Sequence, residues 1–188
     1  MKSRKTKPVK LKARVARVSS KKPCCDFSPI NVLKNVILFV FSVGVCLLAG
    51  VIGSSFTIKS ISTWYAFLVK PFFAPPNWLF GPAWTVLYIL MGISLFLVLK
   101  HGIGKVKEKI AVTFFGIQLV LNVFWSLLFF TLHNPFLAFI EIIAMWFSIL
   151  LTIVMFYKIS KKAAYLLIPY ILWVTFASIL NASIWLLN

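Results

Sequence analysis

Five apolar segments of about 20 residues each recur along this chain, and that length matches the hydrocarbon thickness of a bilayer. They read as Asn35–Thr57, Pro82–Leu99, Ile110–Leu132, Pro135–Tyr157 and Ala163–Leu187. A segment surrounded by lipid must satisfy its backbone N–H and C=O groups internally, so each is expected as an α-helix. Composition closes the soluble alternative. Hydrophobic residues make up 61% of 188 positions and charged residues only 12%, against about 25% charged in an ordinary soluble domain. The fold class is therefore an all-α membrane protein, a five-transmembrane-helix bundle with a long first loop.

The charges divide the chain in two. Of the 20 Lys and Arg residues, 11 fall within residues 1–34, whereas the only acids are Asp26, Glu108 and Glu141. Residues 1–34 are expected as a basic, disordered tail, because they bury too little apolar surface to offset ordering entropy, and residues 35–188 as the membrane domain. Three uses of the tail stay open: an arm resting on anionic membrane lipid, an organelle-targeting segment with Leu11, Val15 and Val18 on one face, or nucleic-acid contact. The hydrophobic body disfavours the last, so no nucleic-acid partner is expected. No secretory signal peptide is indicated. Lys100, Lys105, Lys107, Lys109, Lys158, Lys161 and Lys162 fall in loops on the tail's side, and only Lys59 and Lys70 on the other. The positive-inside rule then places the N-terminus in the cytoplasm, of a bacterial cell membrane or an organelle membrane.

Proline shapes the connections. Pro82 and Pro135 are expected in first helical turns, where a missing N–H costs nothing, and Pro169 should kink the fifth span. The loop Ile58–Gly81 is longer than an unstructured connection normally is and holds Trp64, Tyr65, Phe67, Phe72, Phe73, Trp78 and Phe80. It is either an aromatic belt at the headgroup level or a proline-braced lid over the end of the bundle.

Little in the chain suggests bond-making chemistry. His101 and His133 stand alone in loops, and there is no Ser–His–Asp set, phosphate-binding glycine loop or metal cluster, so no catalytic residues, metal or required cofactor are expected. Cys24 and Cys25 are either palmitoylated juxtamembrane thiols or unmodified. Glu141 is the only acid inside a span, expected as a structural partner or a neutral carboxyl near a helix N-terminus. Gln118 and Asn122, one turn apart, serve either a ligand or helix–helix hydrogen bonding. Ala49, Gly53 and Gly116 permit close helix approach, within the chain or in a homodimer.

Three ordered blocks carry a resemblance. The first is WYAFLVKPFFAPPNWLFGPAWTVLYILM, with Trp64-Tyr65, Lys70-Pro71, Pro75-Pro76, Trp78, Trp84, Leu87-Tyr88 and Met91-Gly92. The second is Gln118, Leu121-Asn122, Trp125 and Phe129-Phe130; the third is Pro169-Tyr170, Trp173, Phe176-Ala177 and Leu180-Asn181. Together they resemble the tryptophan-rich sensory protein family, also called translocator proteins or peripheral-type benzodiazepine receptors. The likeness runs from about residue 35 to the end and leaves out the tail.

The resemblance implies a pocket under the first loop that takes porphyrins such as protoporphyrin IX, or another hydrophobic small molecule. Carried over by position, Tyr65, Trp84, Asn122, Trp173 and Ala177 would bind the ligand, and Trp64, Pro75, Gln118 and Trp125 would support the lid and pocket. The implied role is a receptor or carrier in tetrapyrrole homeostasis or stress sensing. Porphyrin degradation and transport of porphyrin- or sterol-like ligands are the alternatives. Residues 180–188 lack the Tyr and the basic residue of sterol-binding relatives, which favours a porphyrin, and Phe73 stands where many members have Trp.

Overall fold

The computed structural model describes residues 29–188, and the five long apolar stretches within them are helical. The reading of the tail and of Cys24 and Cys25 concerns residues 1–28, outside the described part. The first span is α1 (Pro29–Ile61), followed by a short α2 (Trp64–Phe67) in the loop. The second span is α3 (Asn77–Leu99) and the third α4 (Val106–Ser126), which continues as a π-helical turn over Leu127–Thr131. The fourth is α5 (Pro135–Tyr157), and the fifth is made of α6 (Lys161–Leu166) and α7 (Ile168–Leu187). Five such helices make the chain an integral, multi-pass membrane protein.

Several boundaries differ from the sequence reading, each for a local reason. The first helix starts at Pro29 and ends at Ile61, because apolar residues such as Ile30, Leu33 and Ile58 continue the run beyond Asn35 and Thr57. The second begins at Asn77, so Pro82 lies inside it and the residue before it is Gly81. A proline in that position removes one backbone bond and crowds the carbonyl four residues back; so close to the helix start, little hydrogen bonding is lost. The loop shortens to residues 62–76, and Trp78 and Phe80 become helical. The fourth span keeps its expected limits, with the Asn134 side chain accepting a hydrogen bond from the Leu137 N–H at 3.0 Å and Pro135 in the first turn. Leu167 interrupts the fifth span two residues before Pro169, as the expected kink requires.

Packing follows from small side chains and a few interhelical hydrogen bonds, since lipid supplies no hydrophobic drive between helices. α1 packs against α3 and α4, α4 against α5, and α5 against α7. Gly92 lets α3 approach α1 so closely that a Cβ there would stand 2.6 Å from the Val43 Cα, and a Cβ on Gly50 would stand 2.6 Å from the Tyr88 ring. Gly53 faces Ser126 more loosely, whereas a Cβ on Gly116 would meet nothing within 4 Å. Of the expected small contact residues, then, Gly116 serves no helix pair inside this chain. Ser94 Oγ donates to the Ala163 carbonyl at 2.7 Å, pinning α3 to α6. α3 meets α6 far more than α7. The second and fifth spans therefore join at the end carrying the Lys-rich loops and splay apart towards the first loop.

Gly92 and Gly116 give a paired test. Forcing a side chain into a backbone contact costs about 1–3 kcal/mol or more. Gly92→Leu should lower the melting temperature in detergent by about 5 °C, and Gly116→Leu should leave it unchanged. Equal losses would show that the α1–α3 approach does not limit stability.

Candidate ligand cavity

On α3, Phe80, Trp84 and Tyr88 follow one another at four-residue steps, which puts them on one helix face. On α7, Trp173, Ala177 and Asn181 do the same. The splay of these helices leaves the two faces opposed near the first loop. Trp84 and Trp173 meet edge to face, with ring centroids 6.5 Å apart at 82°. Trp84 also stacks on Tyr88 at 5.6 Å and meets Tyr170 at 6.3 Å, while Phe80 meets Trp173 at 6.3 Å.

The third span supplies the opposite wall. Its last turn is π-helical, a widening often found at functional sites. It leaves the consecutive side chains Phe129 and Phe130 both buried. Trp125 stacks on Phe129 at 5.2 Å, and its indole N–H donates to Asn181 Oδ1 at 3.1 Å. Asn181 Nδ2 in turn donates to the Pro135 carbonyl at 2.7 Å, tying α4, α5 and α7 together.

The first loop closes the top. Tyr65 is only 3% exposed, with its ring 5.8 Å from Phe130 and the Lys70 Nζ 4.5 Å from its centroid. Burial pushes the Tyr65 phenol above its ordinary range, so it stays a neutral donor. Its outer neighbours Phe67 and Phe72 are 88% and 102% exposed. The loop thus does both things expected as alternatives: its inner face covers the bundle, and its outer face presents bare aromatic rings.

These walls enclose a cavity of about 30 Å³, room for roughly one water. Tyr65, Trp84, Trp125, Trp173 and Ala177 all line it. Phe80, Phe129, Phe130, Leu180, Asn181 and Ile184 line it too, although the sequence reading assigned them no role there; the four-residue spacing from Trp84 and Ala177 points to Phe80 and Asn181. Pro75 lines instead a neighbouring apolar groove of about 690 Å³, formed where α3 and α7 splay apart. Trp173 belongs to both.

Three of the predicted residues lie elsewhere. Asn122 sits one layer below the cavity: Tyr88 OH donates to its Oδ1, and its Nδ2 donates to Tyr170 OH at 3.1 Å. Gln118 is deeper still, and neither end of its buried amide has a hydrogen-bond partner among the described residues. Trp64 is a fastening of the loop rather than a wall, stacked on His133 at 4.4 Å. Both carboxyl oxygens of Glu141 are also buried without a hydrogen-bond partner among the described residues; of its two expected readings, a structural partner or a neutral carboxyl, the first is not found.

Residues 42–186 match the model of the TspO/MBR family. The chain is 49% identical over 154 residues to tryptophan-rich protein TspO of Archaeoglobus fulgidus, covering 82% of this chain and 99% of that one. It is 35% identical to protein CrtK of Rhodobacter capsulatus, over 82% of this chain and 94% of the relative. With the human translocator protein it shares 37% identity, over 71% and 80% of the two chains. The matched stretch contains every cavity-lining residue, and on these grounds the chain belongs to the TspO/MBR family.

Proposed function

We propose that this membrane protein is a receptor or carrier for flat, hydrophobic ligands of the porphyrin class, bound between Trp84 and Trp173 beneath the first loop. The observation that carries the proposal is the pairing of these two indoles at 6.5 Å in a cavity walled mainly by aromatic rings. A tetrapyrrole offers two broad π-faces and few polar atoms, and aromatic stacking contributes about 0.5–1.5 kcal/mol per pair beyond simple burial. The Tyr65 hydroxyl and the Trp84 and Trp173 indole nitrogens make no hydrogen bond among the described residues, which leaves polar handles for a ligand's substituents.

At about 30 Å³ the cavity is narrow, whereas sites for ligands of this kind measure roughly 300–1,000 Å³. Space of the right order lies next door in the groove of about 690 Å³. Trp173 is the partition between them, so rotation of that one indole would join the two volumes. The groove's walls are almost wholly apolar and it opens between two lipid-facing helices, which suits a ligand that arrives dissolved in the membrane. The family name of the human relative, translocator protein, fits carriage of such a ligand.

Protoporphyrin IX titrated into the purified protein should quench tryptophan fluorescence saturably and shift the porphyrin absorption band. Trp84→Phe and Trp173→Phe should each weaken binding about tenfold, equivalent to about 1.4 kcal/mol. Conversion of the porphyrin to a new product, lost in those variants, would replace the receptor reading with an enzymatic one; absence of saturable quenching would remove both. A second prediction concerns volume. Ala177→Phe should overfill the cavity and abolish binding, with a lowered melting temperature from the overpacking, and retained binding in the folded variant would place the ligand elsewhere.

A further inference from the structure

The loop over the cavity is fastened at two places of different character. At its start, Trp64 stacks on His133 at 4.4 Å and meets Phe129 edge-on at 5.5 Å, a contact between large apolar faces. Further along, the Val69 N–H donates to Asn188 Oδ1 at 3.0 Å, and Asn188 Nδ2 donates to the Val69 carbonyl at 3.0 Å. The same Nδ2 donates to the Ile184 carbonyl at 2.9 Å, so the last turn of α7 holds the amide plane in position. Among the described residues, these two bonds are the only hydrogen bonds from residues 62–76 to α4, α5, α6 or α7. We propose that Asn188 is a latch: its side-chain amide holds the loop shut over the ligand cavity, and its release sets how fast a ligand leaves.

Position makes the latch effective. Val69 lies between Tyr65, which lines the cavity, and Pro75, which lines the groove, so fixing Val69 fixes both ends of the cover. Chemistry makes it releasable. Apolar stacking such as Trp64 on His133 weakens gradually with displacement, whereas a pair of hydrogen bonds is lost over a fraction of an ångström. Val69 and Asn188 are both exposed, so water replaces each lost bond and the net cost of opening is modest. Phe67 and Phe72 are exposed and add nothing to the closure, while Leu68, Phe73 and Ala74 pack inward as the apolar part of the fastening. Asn188 touches no cavity wall and acts through the loop, as a positioning residue.

The consequence for ligand release rests on the porphyrin reading, but the latch has a readout of its own. Hydrogen–deuterium exchange at Val69 should rise about tenfold in Asn188→Ala, the loss of about 1.4 kcal/mol, and protoporphyrin IX should dissociate about tenfold faster with the melting temperature unchanged. Asn188→Asp, which still accepts from the Val69 N–H but cannot donate to its carbonyl, should fall between the two. Unchanged exchange at Val69 in Asn188→Ala would overturn the latch even if porphyrin binds. Faster exchange in a protein that binds no porphyrin would uphold the latch and remove the porphyrin reading. Faster exchange with unaltered porphyrin dissociation would show that the loop does not gate the ligand, and would overturn the proposal's second half.

Discussion

The hydrogen-bonded chain from Tyr88 through Asn122 to Tyr170 is the interaction on which the upper half of the bundle depends. It joins the second, third and fifth spans at one level, in a setting where the alternative for each group is hydrocarbon rather than water. Such contacts contribute on the order of 0.6–2 kcal/mol each in membranes, but their larger effect is geometric. They fix the rotation of three helices about their axes. Given that rotation, Trp84 lies one turn above Tyr88 and Trp173 one turn along from Tyr170, so the two indoles must face each other. The aromatic cavity is a consequence of the polar layer beneath it.

Above that layer, Asn181 still ties α4, α5 and α7 together, whereas α3 meets α7 there through aromatic rings. α3 and α6 are pinned at the opposite end by Ser94, and α3 drifts from α7 towards the loop. The splay creates two adjoining spaces, one narrow and one wide and open, that share Trp173 as a wall. The narrow geometry is what one expects of a site whose occupant is apolar and whose solvent is the bilayer. Left wide, it would fill with acyl chains; narrow, it keeps the stacking faces in contact with each other. Gln118 and Glu141, whose polar groups are buried and unpartnered among the described residues, line neither space.

The span count was legible because it depends on a periodic feature, whereas the wall residues were named by resemblance to family motifs. Apolar runs of bilayer length announce helices, and Trp84, Trp173 and Ala177 lie at helical spacing within recognisable motifs. What could not be read came from departures from regularity. Pro82 argued for a helix start, yet the helix begins at Asn77 and carries Pro82 inside its second turn. The π-helical turn, which buries Phe129 and Phe130 side by side, breaks the 3.6-residue period that any sequence reading assumes. Asn122 was placed in the pocket wall by resemblance, whereas its partners Tyr88 and Tyr170 come from other helices and draw it one layer down. The clasp between Val69 and Asn188 joins residues at far-separated positions through a side chain to backbone contact, and no local pattern signals it.

The central claim is that a flat apolar ligand occupies the space between Trp84 and Trp173 under the first loop. A structure of the protein determined with protoporphyrin IX tests it most directly. The account predicts the macrocycle stacked against Trp84, Trp173 turned away from its present position so that cavity and groove become one, and Tyr65 covering the ligand. A porphyrin found on the outer surface of the bundle, with the indoles still 6.5 Å apart, would contradict it.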